Sequence, residues 1–170
     1  GSETFDGALD EIKISSTLKT AAEIREYYGA LKDSTSNNNY LTDAGVPNYS
    51  LDGAVGNKGA YQLEATSNQY FDATDYNITS SFTIEAWVKP ESFAIESRIL
   101  CRGDDTYEHY DLRVNTSGYL VGHYTAVTTS ITVTDTSTQL TIGDWNYVVF
   151  VHDDTSDEDS LYVNGIRTKI

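Results

Sequence analysis

Two groupings of side chains hold most of the chemistry this sequence could do. Asp153-Asp154 and Asp157-Glu-Asp159 crowd five acids into seven positions. Carboxylates at that density can hold a hard cation or simply solvate a loop, and both readings stay open. The second grouping is Arg102-Gly-Asp-Asp-Thr-Tyr-Glu-His-Tyr110 together with Gly122-His-Tyr124. It mixes aromatic rings with hydrogen-bonding groups, the combination that holds a sugar. Arg102, Asp104, Tyr107, His109, Tyr110, His123 and Tyr124 are therefore the candidate ligand-binding residues. The plainer alternative makes these tyrosines and histidines amphipathic rim residues of a sheet edge. Arg102-Gly103-Asp104 also spells the integrin-binding tripeptide, against which stands an ordinary turn. His109, His123 and His152 show no metal-ligand spacing. Neither a G-x-S-x-G nor a P-loop motif occurs. Cys101 is the single cysteine, so no internal disulfide forms. Its setting, Arg98-Ile-Leu-Cys-Arg102, is an apolar strand pattern and predicts a buried, inert thiol. Sequons at Asn48, Asn77 and Asn115 have meaning in a glycosylating host.

Charge narrows the partners. The formal net charge is −15, from 26 acids against 11 bases. Phosphate binding needs clustered Lys and Arg, so nucleic acid is an unsuitable partner. The acidity reads as solubility or as divalent-cation binding on acidic loops. A hydrophobic fraction of 39% over 170 residues suits one globular domain with a real core. No apolar run approaches the ~18 residues of a membrane span, so no membrane insertion is expected.

The elements that would position these groups are mostly strands. Phe82, Ile84, Ala86 and Val88 alternate with Thr83, Glu85, Trp87 and Lys89, the pattern of a half-buried strand that Pro90 ends. Tyr147 to Val151 is continuously apolar and reads as a central strand buried on both faces. Tyr119 to Tyr124, Ile131 to Thr134 and Leu161 to Val163 are further short strands. Turns fall at Asn115-Thr-Ser-Gly118, Gly143-Asp144 and Asn164-Gly165. One short helix is expected near the N-terminus, where Thr20 and Glu23 form a capping box. Ile24, Tyr27 and Tyr28 give that helix its apolar face and Gly29 stops it. Lys32 to Asn39 is polar and reads as a linker or as a surface loop within the domain. The fold class is all-β, a two-sheet antiparallel sandwich with that one helix.

Several segments together resemble the laminin-G-like, concanavalin A-like jelly roll. Thr4-Phe-Asp-Gly-Ala-Leu-Asp-Glu-Ile-Lys-Ile14 and Ala21-Ala-Glu-Ile-Arg-Glu-Tyr-Tyr28 are similar to that family's closing strand and last helical turn. Gly53-Ala-Val-Gly-Asn57, Tyr61-Gln-Leu-Glu64 and Ser81-Phe-Thr-Ile-Glu-Ala-Trp-Val-Lys-Pro90 resemble its opening. Gly143-Asp-Trp-Asn-Tyr-Val-Val-Phe-Val151 and Leu161-Tyr-Val-Asn-Gly165 resemble its penultimate part. The order is rotated: residues 1–30 carry the closing pieces and 31–170 the opening and middle strands of a single domain. Either the domain is circularly permuted or it is one phase of a tandem array, with neighbouring copies as partners. The family's x-I-G strand between V-N-G and F-x-G is only partly represented, by Ile166 to Ile170.

The resemblance carries functional expectations with it. Enzymes on this sandwich place E-x-D-x-x-E on one concave strand, and that motif is absent, so no catalytic residues are assigned. The family's structural calcium implies Asp10 as a ligand, with a loop around Asp52 to Gly56 completing the shell and Asp52 as its second acid. The expected role is a non-catalytic binding or adhesion module of a large secreted or cell-surface protein. Its ligand would be a glycan or an extracellular protein, with calcium as the cofactor. The alternatives are a ligand-free structural spacer in a tandem array or filament, and an inactive glycosidase-associated domain.

Overall fold

The computed structural model describes residues 5–20, 42–44, 48–50, 53–54, 60–72, 80–103, 110–125 and 130–169. Thirteen strands and one 3-10 turn fall among them. The strands are β1 (Gly7–Ser15), β2 (Thr42–Ala44), β3 (Asn48–Ser50), β4 (Ala60–Leu63), β5 (Tyr70–Asp72) and β6 (Phe82–Pro90). They continue as β7 (Ser97–Arg102), β8 (Tyr110–Val114), β9 (Tyr119–Thr125), β10 (Ser130–Gln139), β11 (Asn146–Asp153), β12 (Glu158–Val163) and β13 (Ile166–Lys169). The 3-10 turn spans Ala65–Ser67. The expected helix beyond its cap Thr20, the polar segment 32–39 and Asp52 lie outside the described residues.

A seven-stranded sheet has the order β13-β12-β11-β6-β1-β4-β3, and a four-stranded sheet the order β10-β9-β8-β7. A small β2-β5 pair is separate from both. Every ladder is antiparallel. The period-2 pattern of β6 sends Phe82, Ile84, Ala86 and Val88 into one core. The four-stranded sheet supplies Tyr110, Leu112, Val114, Leu120 and Tyr124 to the same core, so the two sheets face one another as a sandwich. This is the architecture expected of a jelly roll.

β1 lies inside the large sheet, between β6 and β4. It pairs with β6, Leu9 against Val88 and Ile14 against Ile84. On its other edge it pairs with β4, Leu9 against Tyr61. Phe5 and Leu9 are buried in the shared core. Without β1, β4 and β3 would have no ladder to the rest of the large sheet.

One strand departs from its pattern. Thr83 and Glu85, on the side of β6 away from the core, are 0% and 3% exposed where a half-buried strand would leave them in water. The Lys19 ammonium reaches Glu85 Oε1 at 2.5 Å, and Tyr147 Oη donates to Glu85 Oε2 at 2.7 Å. Tyr147, Val149, Val151 and Tyr162 are buried on that side too, with Trp87 against them. β11 is thus buried on both faces, as its continuous apolar run predicts.

Turn chemistry fixes the hairpins. Asn164 and Gly165 both have positive φ, 51° and 77°, which suits the two-residue turn that brings Val163 opposite Ile166. Gly122 faces the core from β9, and a Cβ there would lie 2.6 Å from the Phe150 ring. The ring fills the space that the missing side chain leaves.

Candidate functional site

The side of the four-stranded sheet that faces away from the core carries two fixed polar groups, though Asp111 and Val121 on that side are buried. Alternation that sends Tyr110, Leu112 and Tyr124 inward turns Asp111, Arg113 and His123 outward. On β8, Arg113 Nη1 meets Asp111 Oδ2 at 2.5 Å, and its Nε lies 3.2 Å from Glu96 Oε1. Asp111 is fully buried, and the Arg113 guanidinium is half-buried. On β9 and β10, His123 is held between two hydroxyls, with Nδ1 2.8 Å from Thr132 Oγ1 and Nε2 2.8 Å from Thr125 Oγ1. His123 and Thr132 are register partners, so the ladder itself sets this contact. The half-buried imidazole and guanidinium are therefore held in place by their own neighbours on a rigid support.

Of the seven candidate ligand residues, the four that are described do not share one exposed face. His123 is outward and half-buried. Tyr110 and Tyr124 are 2% and 6% exposed, and their rings lie 5.4 and 5.5 Å from Phe82 in the core. A sugar cannot stack on either. Burial, then the nearby Asp154 and Asp159 carboxylates, push the Tyr124 hydroxyl above its ordinary range. Arg102 is half-buried at the end of β7 and pairs in register with Tyr110. Asp104, Tyr107 and His109 lie outside the described residues. Cys101 is half-buried rather than enclosed, at the position that pairs with Asp111 in the β7–β8 ladder.

Beside the core, His152 Nδ1 lies 2.9 Å from Asp159 Oδ1, with both residues buried. The His152 ring stacks on Tyr124 at 4.1 Å. This pair ties the β11–β12 hairpin to β9. The acidic run beyond it is the hairpin's exposed loop. Asp153 accepts hydrogen bonds there from the Ser156 hydroxyl and the Thr155 N–H, at 2.7 and 2.9 Å. These hold its carboxyl below its ordinary range, the Ser156 hydroxyl having the largest effect.

Three acids that the sequence reading did not group meet at the end of the large sheet that carries Gly7 and Pro90. Asp6 precedes β1, Glu64 follows β4 and Glu91 follows β6. One carboxylate oxygen from each lies within 4.8 Å of the others. Gln62 Nε2 donates to both Glu64 Oε1 and Glu91 Oε1, at 3.1 and 2.8 Å, and Ser92 Oγ donates to Asp6 Oδ2 at 3.3 Å. An all-oxygen donor set of this kind fits a hard dication such as calcium. Asp10 sits elsewhere, opposite Trp87 in the β1–β6 ladder. The signal for the cluster was three acids each at a strand end, visible only once β1, β4 and β6 are known to be neighbours.

Residues 64–169 match the laminin-G family that is described as the concanavalin A-like lectin/glucanases superfamily. The match begins beside β4 and leaves β1 outside it, although β1 lies within the same sheet. No curated protein and no solved structure matches the chain.

Proposed function

The chain belongs to the laminin-G family of the concanavalin A-like lectin/glucanase superfamily, and from that premise we propose that it is a non-catalytic binding module of a secreted or surface protein. The observation that carries this reading is the outer face of the four-stranded sheet. His123, Thr125 and Thr132 form one fixed polar group, and Asp111, Arg113 and Glu96 form another. Fixed polar groups on a rigid face favour recognition of hydroxyl-rich ligands. Arg113 is matched by two carboxylates and the chain carries −15, so a neutral carbohydrate suits it and a sulfated polyanion does not. The same match speaks against hydrolysis, since a carboxylate committed to a guanidinium is a poor general acid.

A glycan array run with and without calcium tests the reading. Binding of neutral glycans that His123→Ala or Thr132→Val weakens supports it. Absence of binding throughout favours the structural spacer, and sugar cleavage by the pure protein, abolished by mutating one carboxylate, overturns the non-catalytic assignment.

Calcium belongs to the proposal as an accessory. Asp10, at the family's closing-strand position, and the Asp6, Glu64 and Glu91 group are the two places where it would be held. Melting curves with calcium and with chelator, on wild type, Asp10→Ala and Glu64→Gln, tell the places apart. Unchanged wild-type melting removes the cation from the reading. The rotated order is part of the proposal too: residues 1–30 serve as the closing piece of the domain that 31–170 opens.

A further inference from the structure

We propose that Asn115 is an N-glycosylation acceptor, taking an oligosaccharide from a polyprenyl-diphosphate carrier. Asn115-Thr116-Ser117 is a sequon on the turn between β8 and β9. The turn already commits the other polar atoms of Asn115. Its Oδ1 accepts the Ser117 N–H at 2.9 Å and the Tyr119 N–H at 3.1 Å. Its backbone N–H donates to the Tyr119 carbonyl at 3.0 Å, and its carbonyl accepts the Gly118 N–H at 2.9 Å. Nδ2 makes no hydrogen bond among the described residues, and the neighbouring Thr116 and Ser117 are exposed. The nucleophilic nitrogen is thus the one polar atom of this side chain that the fold does not use.

The folded chain can carry the product without rearrangement. In the transfer, Nδ2 forms a bond to the sugar C1 and the C1–O bond to phosphate breaks. The polyprenyl diphosphate leaves with the electron pair, and the amide gives one proton to the transferase's base. The other two sequons differ. Asn48 lies within β3, opposite Gln62, and Asn77 is outside the described residues. Asn115 follows Arg113 by two positions, so the glycan would stand at the rim of the sheet's outer face. The proposal holds whether or not that face binds a ligand.

The test is to secrete the full chain from a eukaryotic cell with N-linked machinery and map its peptides after peptide-N-glycosidase in heavy-oxygen water. The expected result is Asn115 converted to heavy-oxygen-labelled Asp, with the label lost in Asn115→Gln and in Ser117→Ala. Ser117 contributes only backbone atoms to the turn, so Ser117→Ala removes the sequon and keeps the fold. An unlabelled Asn115 in secreted wild type, or a glycan at that peptide that survives Ser117→Ala, overturns the proposal.

Discussion

Replacing Leu9 by alanine asks whether the strand that begins the described chain belongs to the cooperative fold. Leu9 is 6% exposed and sits in the ladder between Tyr61 and Val88, within the core shared by both sheets. Leu→Ala removes three carbons, worth about 2.4 kcal/mol of transfer free energy at ~0.8 kcal/mol each. Neighbours in a central strand collapse poorly, so a cavity contribution brings the loss to about 3 kcal/mol. With a urea slope of about 2 kcal/mol/M for a domain of this size, the midpoint should fall by about 1.5 M. The melting temperature should fall by roughly 6–12 °C. Leu18→Ala is the matched control: Leu18 is 40% exposed, and its loss should cost no more than about 0.5 kcal/mol. The assay is urea unfolding of both variants, followed by tryptophan fluorescence and by circular dichroism. If Leu9→Ala shifts the midpoint no further than Leu18→Ala does, β1 is not an integral strand and the shared-core argument fails.

Three further outcomes are expected. Gly122→Ala should lose about 1–3 kcal/mol in urea unfolding through the clash with Phe150, and adding Phe150→Leu should recover part of it; simple additivity would count against that contact. Glu85→Ala should cost about 3–5 kcal/mol by stripping Lys19 of a buried carboxylate, while Tyr147→Phe should cost about 1.5–3 kcal/mol, and equal, small losses would mean that face is wetter than described. Asp153 has a lowered pKa when folded, so its stabilisation is complete above the unfolded carboxyl range and fades as pH falls through the folded value. The gap in melting temperature between wild type and Asp153→Asn should therefore hold at neutral pH and narrow in acid; a gap constant down to pH 2 would contradict the assignment.

The strands and turns were legible because they are written in local spacing. Alternation marked β6, the continuous apolar run marked β11, and Asn164-Gly165 marked the hairpin between β12 and β13. What stayed hidden depends on partners distant in sequence. Glu85 reads as a solvent-facing residue until Lys19, 66 positions away, is seen beside it. Tyr110 and Tyr124 are amphipathic, and only their register with one another and their contact with Phe82 decide that both face inward. His123 drew notice in the sequence by its place among aromatic and polar neighbours. Its threonine clamps come from the β9–β10 ladder and from its own strand. Asp6, Glu64 and Glu91 have no local spacing to notice, because three separate strand ends bring them together.

The position of β1 has a consequence for biosynthesis. Its two ladder partners are β4 and β6, and the second of these ends at Pro90, 75 residues after β1 ends at Ser15. At a synthesis rate of about 5–20 residues per second, β1 is exposed for roughly 4–15 seconds before both of its edges can be filled. During that interval a nascent amphipathic strand with two open edges is available to any other β1 on the same message. Pairing across so long a separation also slows closure, since the chain entropy is lost before the contacts form. An interior strand of the large sheet is therefore the one that waits longest for its partners, and polysome crowding or chaperone supply should influence the yield of this protein more than its final stability does.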